Sequence, residues 1–149
     1  MMLQHILVPL DFSEPANQAL EYAMQLARQL QARLTLLHVI HIPPLGGADL
    51  AAYMEHVETS AQQALEECLQ RVQHAGLPGK SLLVQGVPWQ EIVDKAKATQ
   101  ADLIVMSTHG RTGFQHLLLG SVAERVVRLA PCPVLVTRPS AQASAAGEA

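Results

Sequence analysis

Short apolar runs, in which Val, Ile and Leu follow one another with few polar residues between them, recur five times along this chain. Strands with one face in water alternate apolar and polar residues, whereas strands covered on both faces do not. Near-continuous apolar runs of this length are typical of parallel sheets with helices on both faces. The predicted strands are His5–Leu10, Arg33–Ile40, Ser81–Gln85, Asp102–Met106 and Val134–Thr137.

Helical patterns, with apolar residues at steps of three and four, separate these runs. The first helix is predicted to begin through Ser13-Glu14-Pro15, the third to cover about Pro88 to Ala98, and the fourth to begin at Ser121 and end before Pro131. Buried positions are predicted in the first helix at Ala19, Leu20, Ala23, Met24, Ala27 and Leu30, and in the second, which ends at Gly76, at Leu50, Tyr53, Met54, Val57, Ala61, Leu65, Cys68, Leu69 and Val72.

The alternation of strand and helix predicts the fold class. Parallel strands joined by helices need right-handed crossovers, which wind the helices onto the two faces of one sheet. We expect an α/β fold with a single doubly wound, five-stranded parallel sheet of the Rossmann-like type. Polar loops follow the first and fourth strands, and the strand order 3-2-1-4-5 would bring these loops together at the edge where such sheets bind ligands.

Length and composition limit the classes of function. With 149 residues the chain has the size of one domain, predicted over residues 1–139, with a disordered tail of small and polar residues over 140–149. The formal charge of -3 provides no cationic excess for nucleic acid. No basic leader precedes the first strand, and no apolar stretch approaches the ~18 residues that span a bilayer, so a cytoplasmic protein without membrane contact is expected.

The segment Ser107 to Val122 has three features that suit a phosphate group. Its glycines let backbone N–H groups approach an anion, Arg111 supplies a cation, and a helix begins at Gly120-Ser121. The spacing of Ser121 and Glu124 also matches a capping box, which satisfies backbone groups without any ligand. Both interpretations stay open, because backbone N–H groups would still face a phosphate while the hydroxyl caps the helix.

Catalytic and metal sites are not indicated. No Ser-His-acid arrangement and no pair of carboxylates on one face stands out. His38 and His41 lie at a strand end with a spacing that does not point both rings to one side. Cys68 and Cys132 match neither a disulfide framework nor a zinc site. We therefore predict ligand binding, with no catalytic residue and no metal held by protein side chains.

A longer pattern resembles the universal stress protein family, and the resemblance covers nearly the whole chain. Gly110 is followed by nine residues and then by Gly120-Ser121-Val122, with Ala130-Pro131-Cys132-Pro133-Val134 downstream. In the ATP-binding branch of that family the motif is glycine, two residues, glycine, nine residues, glycine, and serine or threonine. This chain has Ser107 at the first glycine, and Gly110 fits the second glycine better than Gly113 does.

The resemblance implies roles for residues around a bound ATP, with or without Mg²⁺. Asp11 would contact the ribose or the adenine edge, and Val39 would contact the base through its backbone. Two further predictions come from position in the loop and not from the resemblance: Arg111 pairs with a phosphate or stays solvated, and His109 donates a hydrogen bond there. Other implied contacts are those of the phosphates with Gly110, Gly120, Ser121 and Val122, near Ser107, and those of the pocket wall, formed by Pro9, Leu10 and Met106.

Three functions stay open. The first is an ATP-binding stress-response regulatory protein in which nucleotide occupancy changes the choice of an unknown protein partner. The alternatives are a slow Mg-dependent ATPase and a nucleotide-free dimeric interaction protein, which Ser107 would favour. Because Val134–Thr137 is apolar and predicted at a sheet edge, pairing of two such edges predicts a homodimer. Asp11 has the structural alternative of ending the first strand and favouring the helix start that follows.

Overall fold

Strands and helices alternate along the chain in the computed structural model, which describes residues 2–42, 46–108 and 119–139. All the predicted strands and helices are present, with strand ends shifted by one or two residues. The strands are β1 (His5–Pro9), β2 (Arg33–Ile40), β3 (Gly79–Gln85), β4 (Leu103–Ser107) and β5 (Val134–Thr137). The helices are α1 (Glu14–Leu30), α2 (Ala48–His74), α3 (Pro88–Ala98) and α4 (Ser121–Leu129).

The strands form one parallel sheet in the predicted order, β3-β2-β1-β4-β5. β1 is central and pairs with β2, where Val8 lies opposite Leu36, and with β4, where Leu7 lies opposite Ile104. The chain first adds strands on one side of β1 and then on the other. The winding therefore reverses between β1 and β4, which makes their carboxyl ends the switch point of the sheet.

Apolar layers cover both faces of this sheet. Successive strand residues point to opposite faces, so Ile6 and Val8 pack with α1 and α2, while Leu7 packs with α3 and α4. All three are fully buried. Burial of an aliphatic side chain of this size contributes ~1.5 to 3 kcal/mol, which explains why the strand sequences are apolar at consecutive positions.

Two helix residues that were predicted to be buried are exposed, Leu30 at 39% and Tyr53 at 48%. Leu30 is the last residue of α1, next to Gln31, whose left-handed backbone (φ 56°) ends the helix. Tyr53 lies near the start of α2, whose 27 residues extend about 40 Å. The longest strand, β2, has eight residues and extends about 26 Å, so the first turns of α2 continue past the sheet. Other predicted core residues in these turns are half-buried, namely Leu50, Met54 and Val57.

Two predictions concern the end of the chain and its location. The tail predicted over residues 140–149 lies outside the described residues. In the described part of the chain, no helix is both long and apolar enough to cross a membrane. The cytoplasmic location stays a prediction.

His5 is a buried polar residue at the amino end of the sheet. It is 1% exposed, with Nε2 2.7 Å from Thr35 Oγ1 and Nδ1 3.1 Å from the Thr99 carbonyl oxygen. Because a carbonyl oxygen only accepts, Nδ1 carries the proton and Nε2 accepts from the Thr35 hydroxyl. Burial, and after it the positive charge of Arg33, lower the pKa of His5.

We expect the free energy of unfolding to decrease as the pH falls from about 7 to about 5. The folded state disfavours a charged His5, so the unfolded chain binds more protons below about pH 6.5, the ordinary pKa of histidine. The stability that the neutral, buried His5 contributes is fully present above that pH. It is lost as the pH falls from there through the lower pKa of His5 in the folded state. Urea unfolding at both pH values measures it.

His5→Gln is the control for this pH dependence. The variant should be less stable than the unsubstituted chain near neutral pH, because it loses the ring between Thr35 and Thr99, and its stability should change less between the two pH values. A decrease of equal size in both proteins would assign the pH dependence to other groups.

Candidate functional site

A cavity of about 290 Å³ opens at the carboxyl ends of β1, β2 and β4, next to the switch point. α3, α4 and the first turn of α1 supply its other walls. Doubly wound sheets bind ligands at this position, because the two connections leave in opposite directions and leave a crevice between the strand ends. The described lining residues are Pro9, Leu10, Asp11, Ala16, Leu37, His38, Val39, Pro88, Ile92, Met106, Ser107, Thr108, Gly120, Ser121, Val122 and Ala123.

All the predicted site residues that the structure describes lie around this cavity. They come from the ends of β1, β2 and β4 and from the start of α4, which are distant in sequence. These residues are Pro9, Leu10, Asp11, Val39, Met106, Ser107, Gly120, Ser121 and Val122. The predicted residues His109, Gly110 and Arg111 lie outside the described residues.

Several lining residues were not predicted as site residues. Leu37 and Ile92 belong to the apolar patterns that identified β2 and α3, and only the tertiary structure shows which apolar residue reaches the cavity. His38 lies beside Val39 at the carboxyl end of β2, and that position was a signal that sequence reasoning did not use. The other unpredicted lining residues are Ala16, Pro88, Thr108 and Ala123.

The cavity has an apolar floor and a polar rim. Leu37, Ile92 and Met106 are at most 6% exposed and also belong to the apolar layer between the sheet and α3 and α4. The rim lies at the strand ends and helix starts, and Asp11 is its one carboxylate among the described lining residues, which include no lysine or arginine. An apolar wall with a few polar groups is typical of sites for small organic ligands.

Asp11 holds the turn between β1 and α1. Its Oδ1 accepts hydrogen bonds from the backbone N–H of Ser13, at 3.0 Å, and from the Ser13 hydroxyl. Ser13 is the N-cap of α1, and its Oγ accepts from the Ala16 N–H at 3.2 Å. Asp11 therefore stabilises the helix start, which agrees with the structural alternative, and it also lines the cavity.

Two backbone hydrogen bonds bring the end of β4 and the start of α4 together. The Gly120 N–H donates to the Thr108 carbonyl at 2.8 Å, and the Thr108 N–H donates to the Thr137 carbonyl at 2.9 Å. The chain thus returns at Gly120 to the point where it left β4. As a result, Ser107 and the α4 N-terminus lie on the same side of the cavity.

The capping-box prediction at Ser121 is wrong by one residue. A capping box requires serine at the N-cap and glutamate at the third helical position, but α4 begins at Ser121, so its N-cap is Gly120, which has no side chain to cap the helix. The Glu124 carboxylate instead pairs with Arg128 at 2.8 Å. Gly120 therefore caps none of the first N–H groups of α4 with a side chain, and these groups together with the helix dipole favour a negative group at the cavity.

Metal-ligating side chains do not cluster in the part of the chain that the structure describes. Within residues 2–42, 46–108 and 119–139, no group of three or more His, Cys, Asp and Glu side chains could hold a metal ion. Cys68 and Cys132 are free thiols, and burial raises the pKa of both. A raised pKa keeps a thiol protonated and therefore weakly nucleophilic near neutral pH.

The fold and the cavity together define a class of protein, the doubly wound parallel α/β domains that present a ligand cavity at the switch point of the sheet. Within that class, the model of the universal stress protein family matches residues 2–138. The chain belongs to the universal stress protein family.

Known members of the family support this assignment along the whole chain. Universal stress protein MJ0531 of Methanocaldococcus jannaschii is 34% identical over 141 residues, which cover 92% of this chain and 83% of that protein. The solved structure of MJ0577 from the same organism has 31% sequence identity and a TM-score of 0.88, covering 95% of this chain and 99% of that one. A universal stress protein solved in complex with cAMP has 26% identity and a TM-score of 0.72, covering 94% and 100%. The predicted family and fold are confirmed.

Two serines at helix starts should differ in their effect on stability. Ser13 caps α1 with its side chain, so Ser13→Ala should lower the free energy of unfolding by about 1 kcal/mol. Ser121 is the first residue of α4 and does not cap it, so Ser121→Ala should change stability by less than about 0.5 kcal/mol. Urea unfolding of the two variants measures both values, and a loss at Ser121 as large as that at Ser13 would contradict the helix start described here.

Proposed function

We propose that this chain is a regulatory protein that binds an adenine nucleotide in the cavity, with ATP as the ligand that its sequence motif favours. The observation that carries the proposal is the N-terminus of α4, which has a glycine at its N-cap, beside a cavity whose floor is apolar. The helix N-terminus suits phosphate and the floor suits a base. The universal stress protein solved with cAMP, 26% identical to this chain, supports an adenine nucleotide.

The strand order supports one orientation of the nucleotide. β2, β1 and β4 are neighbours in the sheet and lie about 4.8 Å apart, so Val39, Asp11 and Ser107 at their ends span about 10 Å. An adenine at Val39 would place the ribose beside Asp11 and the phosphates beside Ser107 and α4. The base would then contact the apolar floor, while the phosphates would face backbone N–H groups.

In this orientation the phosphates lie at the end of the cavity formed by Ser107 and the start of α4, called here the phosphate end. It contains a glycine, Gly120, whose backbone conformation does not require glycine. Gly120 has φ -59° and ψ 159°, a conformation that any residue adopts. The absence of a side chain therefore matters for space, because it lets an anion approach the backbone closely. The proposal includes the predicted phosphate contacts of His109, Gly110 and Arg111, with Mg²⁺ as a counterion of the phosphates.

The direct test is to look for a nucleotide on the purified protein. The protein is denatured, the supernatant is analysed by mass spectrometry, and the nucleotide-free protein is titrated with ATP in a calorimeter, with and without Mg²⁺. We expect copurified adenine nucleotide and saturable binding. If no nucleotide copurifies and no binding is detected, the proposal is wrong and the nucleotide-free interaction protein is favoured. Phosphate release beyond one equivalent would favour the slow ATPase.

A pair of substitutions at the phosphate end should act in opposite directions. Gly120→Asp places a carboxylate beside the phosphates and should weaken ATP binding about tenfold or more, since like charges ~4 Å apart repel by ~1 to 4 kcal/mol. Ser107→Gly removes a side chain from the same end and should tighten binding a few-fold, on the order of 1 kcal/mol or less. Calorimetric titration with ATP and Mg²⁺ measures both.

Gly46→Asp is the matched control for charge. Gly46 is exposed, and an added Cβ there meets no atom within 4 Å, so the affinity should equal that of the unsubstituted chain. Aspartate is a favourable N-cap residue, so Gly120→Asp should also retain the circular dichroism of the folded protein. Unchanged affinity in folded Gly120→Asp would place the phosphates elsewhere, and weaker binding by Ser107→Gly would make the serine a ligand contact.

We propose that the protein acts as a homodimer through β5. β5 pairs with β4 on one side, and no other described strand pairs with its opposite edge. α4, which contacts β5, exposes Val127 and Leu129. Antiparallel pairing of two β5 edges would form a two-fold dimer.

Because the Thr137 carbonyl accepts from Thr108 at the cavity, a nucleotide and a partner would act on adjacent residues, which supports regulation of partner choice by nucleotide.

Val136→Pro should convert the dimer to a monomer. The carbonyl of Pro133 accepts from Ile104 of β4, and that of Thr137 accepts from Thr108, the residue after β4. Alternate residues of a parallel ladder bond to the same neighbour, so the Val136 N–H points to the open edge. Proline removes that N–H without removing a β4 hydrogen bond. Light scattering at micromolar concentration should give a dimer for the unsubstituted chain and a monomer for the variant, and the same mass for both would contradict pairing through β5.

A further inference from the structure

His38 occupies a special position in the cavity wall, because it connects two strands at their carboxyl ends. It belongs to β2, is half-buried, and lines the cavity beside Val39. Its Nδ1 lies 2.6 Å from the Leu10 carbonyl oxygen, and its ring centroid lies 4.4 Å from that of Phe12. A carbonyl oxygen only accepts hydrogen bonds, so Nδ1 carries the proton and donates a hydrogen bond to the Leu10 carbonyl.

Leu10 is held by β2 at both of its backbone groups. Its N–H donates to the Leu37 carbonyl at 2.8 Å, and its carbonyl accepts from the next residue of β2, His38. The peptide group that joins Leu10 to Asp11 is therefore oriented by the imidazole. Without that donor, Leu10 keeps the hydrogen bond from its N–H to Leu37 but loses the one that its carbonyl accepts from His38.

The residue after Asp11 also depends on His38. Phe12 has a positive φ of 65°, a conformation that is unfavourable for a residue other than glycine and persists only where its surroundings maintain it. The His38 ring packs against the Phe12 ring. Asp11 therefore lies between two residues that His38 contacts, one through a hydrogen bond and the other through its ring.

We infer that His38 is a positioning residue that fixes the backbone on both sides of Asp11. Together with the hydrogen bonds from Ser13 to Oδ1, this sets the direction of the Asp11 carboxylate, and through it the discrimination of the site among nucleotides. The inference rests on the proposed function, in which Asp11 contacts the ribose or the adenine edge. A purely structural His38 would affect stability, or affinity for every nucleotide alike. A positioning residue changes the ratio of affinities for two nucleotides that differ only in the group that Asp11 contacts.

Two substitutions separate the hydrogen bond from the ring contact. His38→Asn keeps a donor, since the asparagine amide nitrogen is as many bonds from Cβ as Nδ1 of histidine, but it loses the ring. His38→Phe keeps an aromatic ring against Phe12 but has no donor. Because the hydrogen bond orients the peptide before Asp11, we expect His38→Asn to retain discrimination and His38→Phe to lose it.

The experiment measures the affinities for three nucleotides: ATP, 2′-deoxy-ATP, which lacks a ribose hydroxyl, and ITP, which lacks the adenine amino group. The unsubstituted chain and Asp11→Asn are measured first, and the ratio that Asp11→Asn loses identifies the group that Asp11 contacts. His38→Phe should reduce that same ratio by up to tenfold, as the loss of one polar contact does, and leave the other ratio unchanged. His38→Asn should keep both ratios within about threefold.

The outcomes distinguish the inference from the proposed function. If the unsubstituted chain binds none of the three nucleotides, both are wrong. If it binds ATP but Asp11→Asn or His38→Phe leaves every ratio unchanged, nucleotide binding stands and the positioning role is wrong. Circular dichroism checks folding, and His38→Leu, which removes the same donor with a smaller side chain, replaces His38→Phe if that variant does not fold.

Discussion

The central position of β1, between two parallel neighbours and two apolar layers, is the constraint on which the rest of the structure depends. Its residues Ile6, Leu7 and Val8 have no exposed surface, so helices must cover both faces and strands must be added on both sides. Winding in two directions leaves the carboxyl ends of β1 and β4 without a covering connection. The cavity is thus a consequence of burying this strand.

The same side chains stabilise the fold and form the floor of the cavity. Ile92 and Met106 belong to the apolar layer under α3 and α4 and also line the cavity, so a change in either alters packing as well as ligand contact. The rim is different, because strand ends and helix starts supply its polar groups, among them Asp11 and Ser107.

Periodicity predicted the elements of this chain well, because burial on two faces leaves a continuous apolar pattern in each strand and a three-and-four pattern in each helix. Periodicity failed where the burial of a side chain, or its role at a helix start, depends on where one element begins and ends relative to another. Tyr53 has the spacing of a core residue but lies past the sheet, and Leu30 is the last residue of its helix. Ser121 matches a capping box, yet the helix starts one residue earlier than that box requires, which places Ser121 inside the helix and makes Gly120 the N-cap.

By itself the sequence determined the order of strands and helices, the parallel fold class and the family motif, since these depend on local periodicity and on spacing along the chain. Only the tertiary structure decided that Leu37 and Ile92 reach the cavity, and that His38 donates a hydrogen bond to the Leu10 carbonyl. These contacts join residues far apart in sequence. Their distances are set by strand pairing and by the packing of helices on both faces, which no short segment of the chain contains.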